Sequence, residues 1–311
     1  MAQTGSRPRI RERLAGHRVL VTGSTGFLAK AFVEKLLRAA DTIDGLYLLV
    51  RTRPDGASAE QRFQKEVLRS RAFDRLRASL GESFPRLCAE KIHVVGGDLT
   101  QERLGLSAEA YDGLAKCITL IVNSAATVTF DERLDEAIEL NALGPTRLLK
   151  FAQDCGDAPF MHVSTCYVCG IRRGVVVEDM SAPEAARESL PRRGEGEFDL
   201  DGLISTLRED IASVSERLGP QTEACRRELI DAGMRWSRRF GWSDTYTFTK
   251  WIGEQLLARD RGRVPLAIFR PAIIESSFDE PTPGWIDGLR MADPIIVAYG
   301  RGKLNEFPAK G

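Results

Sequence analysis

The strongest constraint on the fold is the alternation of short apolar runs with helical patterns, which begins near residue 17. The runs are almost continuously apolar, as strands are when helices cover both faces of a parallel sheet. We therefore predict an α/β protein with a doubly wound parallel sheet. The predicted strands are His17–Thr22, Leu46–Val50, Lys91–Val95, Ile118–Val122, Phe160–Ser164 and Val264–Phe269, and helical patterns reach Ala39 and cover Ser58–Leu80, Asp131–Gln153 and Thr247–Arg259.

A glycine-rich turn follows the first predicted strand directly. Gly23 and Gly26 permit a tight turn and let the backbone approach a pyrophosphate at the start of the next helix. Ala29 takes the third small position and still allows close packing of helix and strand. The context of strand, turn and helix favours a dinucleotide site over a turn that merely connects two elements. The predicted cofactor contacts here are Thr22, Gly23, Ser24, Thr25, Gly26, Phe27 and Leu28.

The end of the second strand indicates which dinucleotide binds. An acidic residue there would accept hydrogen bonds from a ribose 2′-hydroxyl, whereas arginine can pair with a 2′-phosphate. The sequence has Val50-Arg-Thr-Arg53 and no acid before Asp55. This favours NADPH, with Arg51 as the phosphate partner, and the alternative is a solvated arginine pair.

Two more segments follow predicted strands and are expected at the same edge of the sheet. Gly97-Asp-Leu99 follows the third strand, and Asn123-Ser-Ala-Ala126 follows the fourth. Ligands of open α/β sheets bind at the carboxyl ends of the strands. We therefore predict cofactor contacts from Asp98, Leu99, Asn123, Ala125 and Ala126.

The candidate reactive groups lie in Tyr246-Thr-Phe-Thr-Lys250 and in Ser164-Thr-Cys-Tyr-Val-Cys-Gly170. Residues four apart share a helix face, so the Lys250 ammonium can lie near the Tyr246 phenol. A nearby cation stabilises phenolate, and we expect it to lower the pKa of Tyr246 toward neutrality. A hydroxyl at the end of the fifth strand, from Ser164 or Thr165, would hold the substrate oxygen.

Charge and cysteine content limit the partners. Forty-four basic and 44 acidic residues leave a net charge of zero, which argues against nucleic acid as a partner. Six cysteines favour a reducing cytoplasm, and the CxxC at Cys166 and Cys169 has no second pair, so we predict no metal site. The amino terminus lacks an apolar signal core and no run could span a membrane, so we expect a soluble protein. Peripheral membrane contact and the oligomeric state stay open.

Residues 171–240 interrupt the strand–helix rhythm. Twelve arginines and 14 acidic residues make up 26 of these 70 positions, and Leu200–Leu218 has a helical pattern. We predict a helical insertion without strands, which serves either as a lid or acyl-binding element or as a solvated decoration.

Together the glycine turn, the hydroxyl after the fifth strand and the YxxxK pattern resemble the extended short-chain dehydrogenase/reductase superfamily, whose nucleotide domain has the Rossmann fold. Further segments are similar to bacterial alcohol-forming fatty acyl-CoA reductases over nearly the whole chain. These segments are Tyr47–Arg51, Asn123–Ala126, Val163–Val168, Trp242–Lys250, Arg270–Glu275 and Glu280–Asp287.

The resemblance implies NADPH-dependent reduction of a long-chain acyl-CoA to a fatty aldehyde and then to the alcohol. It selects Thr165, five residues before Gly170, over Ser164, and implies a triad of Thr165, Tyr246 and Lys250. It also implies that Asn141 holds the active-site helix and a proton-relay water, with a simple helix-bend contact as the alternative. Pro271, in the Arg270–Glu275 segment, is expected to contact the cofactor.

The same resemblance suggests a division of the chain. Residues 14–175 and 241–275 would bind NADP, and residues 176–240 and 276–311 would form substrate-side or lid elements. The carboxyl-terminal domain of the family is expected to be absent. Two other functions stay open: a reductase of thioesters on a carrier protein, and a non-catalytic sensor of NADP, which would not need Thr165, Tyr246 and Lys250 together.

Overall fold

A six-stranded parallel sheet forms the centre of the protein. The computed structural model describes residues 10–39, 42–52, 56–194, 197–289 and 293–306. The strands are β1 Arg18–Thr22, β2 Gly45–Val50, β3 Ile92–Gly96, β4 Leu120–Asn123, β5 Phe160–Val163, β6 Arg192–Arg193, β7 Glu197–Phe198 and β8 Leu266–Phe269.

The order of strands in the sheet is β3-β2-β1-β4-β5-β8, and all neighbouring pairs are parallel. This confirms the predicted doubly wound sheet, whose strand order reverses between β1 and β4. Thr22 is level with Asn123 on one side and Leu49 on the other, and Val163 is level with Phe269. The carboxyl ends of the strands therefore meet at one edge, where loops can form a common site.

Helices cover both faces of the sheet. The α-helices are α1 Ile10–Arg13, α2 Phe27–Ala39, α3 Ala59–Arg62, α4 Asp74–Leu80, α5 Phe84–Lys91, α6 Ala108–Ala115, α7 Leu134–Ala137, α8 Gly144–Asp154, α9 Glu184–Ser189, α10 Leu200–Leu218, α11 Glu223–Arg239, α12 Thr245–Asp260 and α13 Asp293–Gly300. Wider π-type turns occupy Phe63–Leu68 and Ile138–Leu143, and 3-10 turns occupy Arg71–Phe73, Gly81–Ser83, Glu102–Gly105 and Cys166–Cys169.

The first strand shows why its sequence is continuously apolar. Val19, Leu20 and Val21 are all fully buried. Val19 and Val21 pack in one hydrophobic core with α2, whereas Leu20 packs on the opposite face in a second core with α8. Side chains alternate between the faces of a strand, so both faces of β1 need apolar residues.

Two predicted helices differ from the structure. The pattern over residues 58–80 predicts one helix, but the helix ends at Leu68. Ser70 is extended there, and its hydroxyl accepts a hydrogen bond from the Ala72 amide, which starts a new helical turn. The pattern over residues 131–153 predicts an uninterrupted helix, whereas α7 and α8 are joined by a π-type segment.

The helices of the insertion pack against α12. Leu203 and Leu207 of α10 and Ala232 of α11 share a hydrophobic core with Trp251 of α12. The helix predicted over Leu200–Leu218 is confirmed, since Asp199 caps its start and Gly219 follows its end. The prediction of no strand was wrong, because β6 and β7 pair as a short antiparallel hairpin.

The segment that follows β8 packs against helix α2. Trp285 stacks on Phe27 with ring centroids 4.9 Å apart. Glu280 forms ion pairs with Lys35 and Arg38 of α2. This part of the predicted substrate-side region therefore lies against α2, next to the glycine turn.

Within the described ranges, no helix combines the length and the apolar composition that crossing a bilayer requires.

Candidate active site

A cleft of about 590 Å³ lies along the carboxyl ends of the sheet strands. It brings together most of the residues predicted from the sequence. Three predicted residues, Ser24, Asn123 and Asn141, are buried and do not line it. The predicted residues that line the cleft are Thr22, Gly23, Thr25, Gly26, Phe27, Leu28, Arg51, Asp98, Leu99, Ala125, Ala126, Thr165, Tyr246, Lys250 and Pro271.

The glycine turn is closely packed against the loop after β4. Gly23 has a φ of +70°, and a Cβ atom there would come within 2.7 Å of the Ala125 nitrogen. Thr22 Oγ1 accepts a hydrogen bond from that nitrogen at 3.2 Å. Only glycine combines this backbone conformation with this approach. The turn thus leads into α2, whose first residues, Phe27 and Leu28, face the cleft.

A buried polar network lies beneath the cleft. Thr22 Oγ1 donates to Asn123 Oδ1 at 2.6 Å, and the Asn123 amide nitrogen donates to His162 Nδ1 at 3.0 Å. Burial, reinforced by the nearby Lys250 ammonium, lowers the pKa of His162 well below its usual value. Asn123 therefore lies beneath the cleft and supports its floor.

The residues present fit a dinucleotide. The Ser164 hydroxyl lines the cleft, is buried and has no hydrogen-bond partner among the residues that the structure describes. The 13-residue helix α2 directs its amino-terminal end, with its positive dipole, at the same space. These groups are suited to the phosphates of a nucleotide.

The cleft is charged where it passes β2 and β3, a region we name the charged end, formed by Arg51, Arg62 and Asp98. Arg62 Nη1 donates to the Arg51 carbonyl oxygen at 2.6 Å, and its guanidinium also pairs with Glu66. Asp98 Oδ1 accepts hydrogen bonds from the Thr100 amide and hydroxyl. Arg53 and Asp55, which entered the cofactor prediction, lie outside the described residues.

Arg62 was missed by the sequence reasoning, because it lies 11 residues beyond Arg51 and belongs to no motif. A signal was available. Ser58 and Gln61 form a capping box, which predicts the start of a helix that includes Arg62 shortly after β2.

Tyr246, Lys250 and Thr165 meet at the middle of the cleft. Asp244 caps the start of α12 by accepting from the Thr247 amide at 2.8 Å, which places Tyr246 and Lys250 on one face. The Thr165 hydroxyl lies close enough to the phenol to favour its ionised form, whereas the buried Ser164 hydroxyl has no hydrogen-bond partner among the described residues.

The phenol differs from its expected acidity. Burial raises the pKa of Tyr246 to about 12, although the hydrogen bond from Thr165 opposes this rise. Burial also lowers the pKa of Lys250 to about 8, and the Glu254 carboxylate opposes that change. The expected lowering of the Tyr246 pKa by Lys250 was wrong for this structure, because desolvation penalises both charged forms. Tyr246 is therefore a neutral phenol at pH 7.

Lys250 hydrogen-bonds to the end of β5 and has a buried carboxylate near it on its own helix. Its Nζ donates to the Val163 carbonyl oxygen at the end of β5 at 2.9 Å. One turn further along α12, the fully buried Glu254 accepts hydrogen bonds from Arg270 Nε at 3.0 and 3.1 Å. We did not predict Glu254 as a neighbour of Lys250 from the sequence, although the spacing of these two residues puts both on one helix face.

Asn141 lies in the π-type segment and joins two parts of the site. Its side chain accepts from the Thr127 amide at 3.1 Å and donates to Thr249 Oγ1 of α12 at 3.2 Å. It is fully buried. In this structure Asn141 therefore positions the loop after β4 against the active-site helix.

The cleft is apolar on the side of β4, β5 and β8, a region we name the apolar end. The sequence reasoning missed it, because its residues come from three loops without a recognisable motif. They are Val128, Phe130, Tyr167, Ile273 and Ile274.

Comparisons with known proteins agree with this architecture. Residues 21–311 match the family described as "Male sterility protein", an NAD-binding family. Fatty acyl-CoA reductase 2, chloroplastic, from Arabidopsis thaliana is 38% identical over 94% of this chain and 47% of its own length. Alcohol-forming fatty acyl-CoA reductase from Simmondsia chinensis is 39% identical over 98% of this chain and 60% of its own length.

A solved structure also resembles this chain. The reductase domain of a nonribosomal peptide synthetase from Mycobacterium tuberculosis has a TM-score of 0.50 and 26% identity, and covers 86% of this chain and 51% of its own. The terminal R domain of the myxalamid PKS-NRPS pathway, at 22% identity and a TM-score of 0.53, covers 84% of this chain and 50% of its own and shares the fold.

The chain spans about half the length of the curated relatives it matches. The named relatives with this similarity are plant proteins and, at 34% identity, a Gallus gallus reductase, so they do not support the bacterial grouping in the predicted resemblance. Since the family match covers all but the first 20 residues, the chain belongs to the NAD-binding "Male sterility protein" family, and its cleft is that of a nicotinamide dinucleotide-binding domain.

Proposed function

We propose that this protein is an NADPH-dependent oxidoreductase that reduces a long-chain fatty acyl-CoA to the fatty aldehyde and then to the fatty alcohol. The observation that carries the proposal is the meeting of Thr165, Tyr246 and Lys250 in one cleft with the glycine turn. The names of the plant relatives support the acyl-CoA substrate.

The hydroxyls of Thr165 and Tyr246 are proposed to hold the substrate carbonyl oxygen. NADPH, when bound, supplies the hydride for each reduction. Both hydroxyls can donate to the oxygen as negative charge develops on it, and such preorganised donors give a large part of catalysis in acyl chemistry. With a pKa of about 12, Tyr246 carries its proton at neutral pH. It can give this proton to the substrate oxygen, because the alkoxide that hydride addition produces is a stronger base than the phenolate.

The two reductions use the same groups differently. In the first, the thioester carbon gains hydride, and its oxygen is stabilised until the carbon–sulfur bond breaks and coenzyme A leaves as the thiolate, which takes a proton from solvent. In the second, the aldehyde carbon gains hydride while Tyr246 donates its proton to the oxygen, which yields the alcohol. The Lys250 ammonium, held by the Val163 carbonyl, supports the developing charge on the phenol.

The choice of NADPH is proposed from the charged end of the cleft. Two guanidinium groups, Arg51 and Arg62, line it, and a 2′-phosphate there would gain charge-assisted hydrogen bonds. The phosphates would lie on the glycine turn and the start of α2. The remaining proposed cofactor contacts, Asp98, Leu99, Ala125, Ala126, Lys250 and Pro271, line the same cleft.

The test is NADPH oxidation with palmitoyl-CoA or decanal, followed by identification of the product. We expect fatty alcohol, with two NADPH consumed for each acyl-CoA. Aldehyde as the final product would overturn the second step. A protein inert toward every acyl chain length tried, but still binding NADPH, would overturn the enzymatic proposal and favour a sensor of NADP.

The second candidate is a reductase of thioesters on a carrier protein. It is favoured by the similarity to the reductase domain of a nonribosomal peptide synthetase. Comparing acyl-CoA with the same acyl group on a phosphopantetheinyl carrier protein separates the two. A higher kcat/KM for the carrier substrate would replace the first candidate with the second.

The cytoplasm is the proposed compartment, supported by six cysteines that are all free thiols in the structure. A chloroplast location, as in the name of one relative, is the alternative.

A further inference from the structure

The apolar end of the cleft exposes an unusual group of side chains. Its five residues are 37 to 57% exposed, and all of them line the cavity that contains Tyr246. Single exposed apolar residues are ordinary on protein surfaces, whereas a contiguous apolar patch usually marks a binding site. Among the described residues, the charged end exposes no comparable group of large apolar side chains, so the two ends are suited to different chemistry.

Phe130 places this patch directly at the proposed reaction centre. Its ring is edge-on to the Tyr246 ring, with centroids 6.0 Å apart and an interplanar angle of 69°. A chain attached to a carbonyl whose oxygen is held by Tyr246 would therefore run past Phe130 and along the other side chains of the apolar end. Among the five side chains of this wall, only Tyr167 carries a group that could hydrogen-bond to a polar substituent next to the carbonyl.

The loop that carries Phe130 is held in place at both ends. Asn141 accepts from the Thr127 amide and donates to the Thr127 carbonyl oxygen at 3.2 Å. The Thr245 amide at the start of α12 donates to the Phe130 carbonyl oxygen at 3.1 Å. These hydrogen bonds fix the loop that exposes Phe130, so the loop can bind a chain without first becoming ordered.

We propose that the apolar end binds the acyl chain of the thioester and that Phe130 and Ile273 set a preference for long chains. This inference rests on the proposed function, since it needs a thioester carbonyl at Thr165 and Tyr246. Each methylene removed from water strengthens binding by up to about fourfold. Contact with only a few methylenes is therefore enough to distinguish long chains from short ones.

The experiment compares Phe130→Ser with the wild-type protein on butyryl-CoA, octanoyl-CoA and dodecanoyl-CoA. We expect kcat/KM to fall about tenfold for dodecanoyl-CoA and less than about twofold for butyryl-CoA. The KM for NADPH should not change. Ile273→Ser, which alters a different loop, should give the same selective loss.

Phe278→Ser is the matched control, because Phe278 is 98% exposed and does not line the cleft. It should leave all three substrates unaffected. An equal loss on all chain lengths in Phe130→Ser would mean that this ring only holds Tyr246, and would overturn the inference. Unchanged kinetics in both cleft variants would also overturn it.

A wild-type protein that reduces no acyl thioester calls for a binding measurement. Titration calorimetry with dodecanoyl-CoA then decides between the two proposals. Weaker binding by Phe130→Ser than by wild type supports the acyl surface while the reductase proposal fails. Equal binding, or none, overturns both.

Discussion

The charged and apolar ends of the cleft are built from different parts of the sheet. The charged end follows β2 and β3, and the apolar end follows β4, β5 and β8. The strand order separates these two groups on opposite sides of β1, so one groove can present arginines at one end and apolar side chains at the other. The sheet topology therefore places the charged lining residues and the apolar lining residues at opposite ends of the cleft, and Tyr246 lies between them.

The largest expected effect comes from removing the acid between the two ends. Tyr246→Phe should lower kcat by about 100- to 10,000-fold, because the substrate oxygen loses its proton donor. The Kd for NADPH should stay within about twofold of wild type, as measured by cofactor fluorescence. Tyr47→Phe, whose ring stacks on His93, is the control. Loss of NADPH binding in Tyr246→Phe would show that this residue has a different role.

The next effect tests the charged end alone. Arg51→Asp should raise the KM for NADPH by about 10- to 100-fold through loss of a charge-assisted hydrogen bond. The KM for NADH should change much less, because NADH has no 2′-phosphate. Arg71→Asp is the control, since its side chain is 89% exposed. Equal changes for both cofactors would contradict the assignment of Arg51.

A smaller effect concerns the buried floor shared by both ends. The pKa of His162 is lowered in the folded protein, so below about pH 6.5 the unfolded chain binds more protons and stability falls as the pH decreases. Between pH 6.5 and 5.5 the loss from this group should be about 1 kcal/mol. Urea unfolding of His162→Gln should lack this loss, whereas His93→Gln should retain it. The same acid dependence in both variants would rule out His162 as its source.

The smallest expected effect is on the alkaline side of the pH profile. With a pKa of about 8, Lys250 loses its charge as the pH rises through that value, and kcat should fall there. Glu254→Gln removes the carboxylate that holds this pKa up, so the fall should move to lower pH and reduce kcat about two- to threefold at pH 8.5. Glu139→Gln, which alters an ion pair outside the cleft, serves as the control. A limb at the same pH in Glu254→Gln would contradict this role.

Local patterns predicted the parts of the site that depend on neighbours in sequence. The glycine turn at Gly23, the arginine after β2 and the Tyr246–Lys250 pair all line the cleft as expected. Each follows from a strand end or from helical spacing, and both are properties of a short segment. The helix Leu200–Leu218 was likewise predictable, because its cap and its terminal glycine lie in its own sequence.

Contacts between distant segments explain what the patterns missed. Asn123 hydrogen-bonds to His162 Nδ1, 39 residues away, and so lies under the cleft. Arg62 turns back to the Arg51 carbonyl, and Phe130 meets Tyr246 from a loop in another part of the chain. No periodicity or motif records these pairings.

Local backbone preferences and residue type specify the alternating strands and the glycine turn, and residue type alone specifies which reactive side chains are present. These features could therefore be predicted from the sequence. Which end of the cleft is charged, which end is apolar, and how Tyr246 and Lys250 are protonated depend on the tertiary structure. The pKa of Tyr246 rises and that of Lys250 falls because folding removes both from water, and the extent of that burial depends on side chains that come together from the whole chain.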